Sequence, residues 1–135
     1  MSVIVTDTGF GQDDWNASFT PLAEAPANDM AAIDLASDTD PDALPRVLNA
    51  QIVRIDFPSF ADGRGFTLAR RLRDLGFTGR LRARGHVVSD QYAMARRSGF
   101  DEVEISDDLA ARQPEGEWQF RANWTAHNYQ ARLRA

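Results

Sequence analysis

The sequence has no cysteine and no lysine, and it has only two histidines, His86 and His127. Without cysteine, the chain can supply no disulfide, no catalytic thiolate, and no thiolate ligand for zinc or an iron–sulfur cluster. A transition-metal site would have to be built mainly from carboxylates, so we predict no metal. We also assign no cofactor, and any redox chemistry would then depend on a partner's redox centre.

Long apolar runs are missing as well. No stretch approaches the length of a membrane span, and no basic segment followed by an apolar one precedes a cleavage site. We therefore expect a cytoplasmic protein with no membrane partner. The 135 residues, of which 43% are hydrophobic and 26% charged, are enough for one folded domain with a buried core.

The charges are unevenly distributed along the chain. The net charge is −5 and all fifteen cationic side chains are arginines, which suit oxyanions but also accumulate in GC-rich genomes. Residues 1–45 contain nine acids and no arginine, whereas residues 54–97 contain ten arginines and four acids. This division predicts either an anionic partner for the middle segment or an internal acidic cover laid across it. The acidic chain has no nucleic-acid-binding motif, so we expect no nucleic-acid partner.

Hydrophobic periodicity and turn residues predict alternating strands and helices, which favour a parallel sheet of right-handed βαβ units. The fold class is therefore α/β, with a small, open, mostly parallel sheet of about four to five strands, flanking helices and half-barrel-like βαβ repeats. The predicted strands are 3–5, 31–35, 51–57, 80–84 and 103–105; the predicted helices follow Pro41, span 62–75 and 89–97, and follow Ser106.

The predicted organisation is an N-terminal arm (1–29), an α/β core (30–113) and an aromatic tail (114–135). Trp15, Phe19 and Leu22 are expected to dock the arm onto the body. The tail has two interpretations, and in either it packs on the core or on another subunit. A strand is favoured by the alternation of Trp118, Phe120, Ala122 and Trp124. A helix also fits the spacing of Trp118, Ala122, Tyr129 and Leu133.

Two loops follow predicted strands, at residues 57–65 and 84–91, and ligands of parallel α/β sheets bind beyond the carboxyl ends of the strands. Each loop leads into a helix N-terminus, which favours negative charge, and Gly63 and Gly65 would allow close backbone approach. If the strands are neighbours, the loops form an anion- or partner-binding face. The candidate residues are Asp62, Gly63, Arg64, Arg82, Arg84, His86, Asp90 and Gln91.

Structural roles remain open for the same residues, and we assign no catalytic residue. Asp62 and either Ser89 or Asp90 could simply be helix N-caps, and Gly63-x-Gly65 is not a phosphate-binding fingerprint. His86 is either a general base, a partner contact or an ordinary hydrogen-bonded histidine. The alternating arginines at 80, 82 and 84 form either an acid-paired sheet face or a docking surface.

Two sequence blocks resemble those of one proteobacterial family, the domain of unknown function 934 family. The blocks are FPSFADGR at residues 57–64 and RARG with a following DQ at residues 82–91. The resemblance covers about residues 30–105. Members are encoded beside the sulfite reductase haemoprotein and often carry the label of a probable oxidoreductase involved in sulfite reduction. Many have an acidic residue at the position of Arg80, aspartate at His86 and cysteine at Ser98, which argues against a universal catalytic role for these three.

The resemblance implies an accessory or electron-transfer adaptor protein of assimilatory sulfite reduction that binds the sulfite reductase haemoprotein. The sequence contains no electron carrier, so an accessory subunit is expected rather than a self-sufficient oxidoreductase. Two alternatives stay open. The protein could be a small anion-binding protein or enzyme that uses the two loops, or a structural module that self-associates into a homo-oligomer.

Overall fold

The computed structural model of the protein describes residues 2–15, 18–25 and 31–122. Within these residues, seven strands form one sheet. They are β1 (Ser2–Thr6), β2 (Gly9–Gly11), β3 (Thr20–Pro21), β4 (Ala32–Leu35), β5 (Ile52–Phe57), β6 (Arg80–Gly85) and β7 (Glu102–Ser106).

The strands lie in the order β2-β1-β7-β6-β5-β4-β3. Strands β3 to β7 are parallel to one another, and β1 is antiparallel to both β7 and β2. The predicted α/β class with a mostly parallel sheet is confirmed, but the sheet is larger than four to five strands. The two additional strands are β2, which pairs antiparallel with β1 at one edge, and the two-residue β3 at the other.

The α-helices are α1 (Arg64–Asp74), α2 (Tyr92–Ser98), α3 (Asp107–Arg112) and α4 (Glu115–Arg121). The predicted helix after Pro41 is a 3-10 helix, Pro41–Val47, with Pro45 inside it, because proline cannot donate an α-helical hydrogen bond. Asp40 caps it by accepting a 2.9 Å hydrogen bond from the Asp42 main-chain nitrogen. Shorter 3-10 helices span Leu22–Glu24 and Ser89–Gln91.

One face of the sheet carries the core. The connections after β4, β5 and β6 each contribute a helix or 3-10 helix to this core, as expected for βαβ units. Side chains that alternate onto that face, such as Ile55 and Leu81, pack with Leu44, Leu72 and Tyr92 from the helices in a single hydrophobic core.

The opposite face of the sheet is charged. The strand register places Asp34, Arg54, Arg82 and Glu102 in one row across β4 to β7. Residues 12–15 and 18–19, which have no regular secondary structure, lie over this row and contact it through Asp13 and other side chains. The chain's own acidic segment therefore covers part of its basic segment, one of the two alternatives that the charge pattern left open.

The start of the tail is helical. In α4, Trp118 is buried whereas Phe120 is 75% exposed, as helical spacing requires. The other tail positions considered above, Trp124, His127, Tyr129 and Leu133, lie outside the described residues. The domain boundaries stay predictions. In the described part of the chain, no helix combines the length and apolar character needed to cross a membrane.

Candidate binding surface at the carboxyl end of the sheet

The two candidate loops lie side by side because β5 and β6 are neighbouring parallel strands, with Phe57 opposite Gly85. The His86 main-chain nitrogen donates a 2.9 Å hydrogen bond to the Phe57 carbonyl oxygen. The Gln91 side-chain amide donates to the Phe60 carbonyl oxygen at 3.0 Å, and the Phe60 and His86 rings meet edge to face at 5.0 Å. The loops therefore form one continuous surface.

Asp62 and Arg64 in the first loop bind each other. The Arg64 guanidinium donates to both Asp62 carboxylate oxygens, at 3.0 and 2.8 Å, and the Arg64 main-chain nitrogen donates to Asp62 at 3.1 Å. Arg64 also donates to the Ser37 hydroxyl, which lies after β4 and away from the second loop. These hydrogen bonds from Arg64 hold the pKa of Asp62 well below its usual range, so Asp62 stays ionised.

The two glycines of the first loop differ in surroundings. A Cβ atom on Gly65 would come within 2.5 Å of the Phe57 ring, so Gly65 is required for close packing of α1 on β5. Gly63 has open space around its Cα and lies just before α1. Of the two, only Gly63 is exposed at the surface.

The second loop is organised by its own polar side chains. The Gln91 side-chain oxygen, Oε1, accepts from the Val88 main-chain nitrogen at 3.0 Å, which caps the Ser89–Gln91 turn. His86 Nδ1 lies 3.2 Å from the Phe57 carbonyl oxygen. Because a carbonyl oxygen can only accept, this contact requires a proton on Nδ1.

Arg84 opens onto a cleft where β5, β6 and β7 end. Its side chain is 50% exposed and forms a 3.3 Å ion pair with Glu104. The cleft has a volume of about 550 Å³, and its charged lining groups have both signs. Its walls include Asp56, Pro58, Arg84, His86, Glu104 and Ser106.

Arg82 lies elsewhere, in the charged row under residues 12–15. Its side chain is fully buried and bonds to three carboxylates, those of Asp13, Glu102 and Glu104, at 2.8–3.0 Å. Burial lowers the pKa of Arg82, but the hydrogen bond to Asp13 and the charges of Glu102 and Asp13 raise it by more, so the side chain stays protonated. The structure does not bring Arg82 together with the two loops.

The surface continues from the second loop onto α4. Asp90 forms a 2.8 Å ion pair with Arg121, whose guanidinium carbon lies 5.1 Å from the centre of the exposed Phe120 ring. A groove of about 460 Å³ separates the second loop from α4 and is lined by Ser89, Asp90, Gln113, Glu117, Phe120 and Arg121. We call the combined area of Phe60, His86, Asp90, Gln91, Phe120 and Arg121 the carboxyl-edge surface.

Comparison with known proteins assigns the chain to a family. A model of a family of bacterial proteins of unknown function, DUF934, matches residues 32–135. The chain belongs to the DUF934 family. No curated protein and no solved structure matches the chain.

The DUF934 match begins at the start of β4 and contains every residue of the carboxyl-edge surface. Strands β1 to β3 and Asp13 precede it. Among the described residues of this family member, no group of three histidine, aspartate or glutamate side chains is arranged to hold a metal ion.

Sequence reasoning missed three members of this surface in the DUF934 protein. Phe60 stands within the predicted first loop, and an aromatic residue in a loop is a usable signal of an exposed contact residue. Phe120 and Arg121 lie in the tail, for which the sequence leaves a strand and a helix open. The helical spacing of Trp118 and Ala122 directs Phe120 away from the core, and Arg121 is its neighbour in the chain.

Proposed function

We propose that this protein is an accessory subunit of assimilatory sulfite reduction that docks onto the sulfite reductase haemoprotein through the carboxyl-edge surface. The pathway and the partner come from the resemblance carried by the FPSFADGR and RARG blocks. Both blocks lie in or next to the two loops of that surface. In this proposal the protein acts in the cytoplasm and assists the delivery of electrons or substrate without holding a redox centre itself.

The observation that carries the proposal is a pair of exposed aromatic side chains on that surface. Phe60 is 41% exposed and Phe120 is 75% exposed, although most large apolar side chains of the described residues are buried. Between them lie the Gln91 contact to Phe60 and the Asp90–Arg121 ion pair. Aromatic residues and arginine are the side chains most enriched at the energetic centres of protein interfaces.

The charged groups of the first loop and of the carboxyl-edge surface support docking more than acid–base chemistry. Arg64 is engaged by Asp62, and Asp62 has a lowered pKa, so it is poorly suited to donate a proton near neutral pH. Arg121 is engaged by Asp90 through one hydrogen bond of 2.8 Å. Side chains already fixed by such pairs lose little conformational freedom when a partner binds, which favours recognition.

The test is the affinity of the purified protein for the purified haemoprotein, measured by biolayer interferometry at low and moderate salt. Phe60→Ala and Phe120→Ala are each expected to weaken binding about tenfold or more, the loss typical of a hot-spot residue. Leu75→Ala is the matched control, because Leu75 is 47% exposed but follows α1, at the end of the sheet away from the loops.

Two results would contradict the proposal. The first is the absence of any association with the haemoprotein at low salt. The second is an equal loss of affinity in the Phe60, Phe120 and Leu75 variants, which would show that binding does not depend on the carboxyl-edge surface.

A further inference from the structure

The charged face of the sheet holds a second ordered arrangement, distinct from the carboxyl-edge surface. Arg54, Arg80 and Arg82, which we call the arginine row, lie on β5 and β6. Asp13 and Asp14, which we call the acidic pair, lie on top of it. Arg82 bonds to Asp13 at 3.0 Å, and Arg80 bonds to Asp14 at 2.8 Å.

Asp13 binds Arg82 as an external carboxylate would. Arg82 Nη1 donates to one carboxylate oxygen and Nη2 donates to the other, both at 3.0 Å. This two-point contact is the preferred geometry of arginine with carboxylates from ligands and partner proteins. Hydrogen bonds and charge from Arg80 lower the pKa of Asp14, and those from Arg82 outweigh the effect of burial and lower the pKa of Asp13.

The arginine row stays paired without the acidic pair. Arg82 keeps Glu102 through Nε at 2.9 Å and Glu104 through Nη1 at 3.0 Å. Arg80 keeps Glu102 at 2.6 Å. Loss of Asp13 and Asp14 would therefore leave no buried arginine without a carboxylate partner. The guanidinium groups would still be oriented by the carboxylates beneath them.

The acidic pair is held less firmly than the row it covers. The Asp14 side chain is 74% exposed, and residues 12–15 have no regular secondary structure. Beside the pair, the indole nitrogen of Trp15 is buried and has no hydrogen-bond partner among the described residues. A buried donor without a partner is unfavourable, which weakens the hold of this segment on the arginine row.

An aromatic side chain of the same N-terminal segment also contacts the arginine row. The Phe19 ring lies 3.9 Å from the guanidinium carbon of Arg54, close enough for a cation–π interaction. Arg54 is held from the other side by Asp34 at 2.6 Å. The row thus contacts two adjacent acids and an aromatic residue that follows them along the chain, a combination that a single small anion would not provide.

We propose that the arginine row is a docking surface for an acidic, aromatic-containing segment of a partner protein, and that the acidic pair occupies it as a competing internal ligand in the free protein. A tethered ligand of this kind acts at an effective concentration on the order of millimolar, so it suppresses binding of a free segment. Weakening the acidic pair therefore opens the row to the partner. This surface is independent of the carboxyl-edge surface and of the haemoprotein.

The probe is a fluorescein-labelled peptide with the sequence of residues 9–22, titrated with the full-length protein and followed by fluorescence anisotropy. We expect the Asp13→Asn/Asp14→Asn protein to bind it about tenfold more tightly than the wild type, because the internal competitor is weakened. Adding Arg80→Met to that variant should reverse the gain. A control peptide with asparagine at both acidic positions should bind none of the proteins.

Asp14→Asn alone is the second variant, since it leaves the contact of Asp13 with buried Arg82 in place, and it should give an intermediate affinity. Far-UV circular dichroism and urea unfolding confirm that each variant is folded. Equal peptide affinity for the wild type and both folded variants would overturn the proposal, as would a gain that Arg80→Met leaves unchanged. Phe60→Ala should have no effect on peptide binding, which separates this test from that of the haemoprotein.

Discussion

Gln91 and Phe60 are joined across the two loops by a 3.0 Å hydrogen bond from the Gln91 side-chain amide to the Phe60 carbonyl oxygen. The carbonyl oxygen of the same side chain accepts from the Val88 main-chain nitrogen. One glutamine therefore caps its own turn and fixes the neighbouring loop. The candidate surface is rigid at this point because both polar ends of one side chain are occupied.

Replacing this glutamine should loosen the surface and lower stability. Gln91→Ala removes the cap and the contact between the loops, so we expect a loss of about 1–2 kcal/mol in the free energy of unfolding. Urea denaturation followed by circular dichroism measures it. Gln12→Ala, at an exposed position, is the control and should change stability little. Equal effects of the two substitutions would show that the Gln91 hydrogen bonds contribute nothing net.

Gly85 is the residue on which the backbone turn after β6 depends. Its φ of +112° is unfavourable for other residues, and a Cβ atom there would lie 2.7 Å from the Phe57 carbonyl oxygen. Gly85→Ala should therefore cost about 1–3 kcal/mol of stability. Gly63→Ala, in the neighbouring loop with open space around it, should be neutral or slightly stabilising. Thermal unfolding of both variants tests the contrast, and a neutral Gly85→Ala would contradict the described turn.

Arg82 and Arg84 share the partner Glu104 but differ in burial, which allows a matched comparison. Arg82→Met removes a fully buried cation from among three carboxylates and should cost about 3 kcal/mol. Arg84→Met removes a half-exposed cation and should cost less than about 1 kcal/mol. Urea unfolding of both variants distinguishes them. Similar losses would mean that Arg82 is accessible to water and is not part of a buried network.

The acidic pair should make stability depend on pH in acid. The pKa values of Asp13 and Asp14 are both lower in the folded protein than the ordinary 3.8. A lowered folded-state pKa contributes stability above the unfolded-state value, and this contribution is lost as the pH falls through the folded-state value. The stability difference between the wild type and Asp13→Asn/Asp14→Asn should be constant from neutral pH to about pH 5 and shrink below about pH 4.

Urea unfolding at several pH values measures this difference directly. Asp62 also has a lowered pKa but is present in both proteins, so its contribution cancels in the comparison. A difference that stays constant into strong acid would contradict the ion pairs of Asp13 with Arg82 and of Asp14 with Arg80.

The sequence predicted the strands and helices of the parallel part of the sheet because the determining signals are local. The apolar, β-branched segment of β5 and the alternation in β6 both have a period of two, which fixes which side chains face the core. A helix was predicted to follow Ser106, and Ser106 caps α3 by accepting from the Leu109 main-chain nitrogen at 3.2 Å. Such patterns require no knowledge of distant residues.

Features that depend on distant pairings could not be predicted in the same way. The alternating arginines of β6 indicated a basic face, but the carboxylates that neutralise it come from β7 and from Asp13, 69 residues away along the chain. The antiparallel pairing of β1 with β7 is equally non-local. Arg82 was therefore grouped with the loop residues, although it lies in the covered charged row.

The most direct test of the proposed function is the pattern of hydrogen–deuterium exchange in the protein alone and in the presence of the sulfite reductase haemoprotein. We expect added protection in the segments around Phe60, His86 to Gln91, and α4, with none around Leu75 at the far end of α1. Protection confined to the region of Leu75, or an unchanged pattern throughout the chain, would contradict docking through the carboxyl-edge surface.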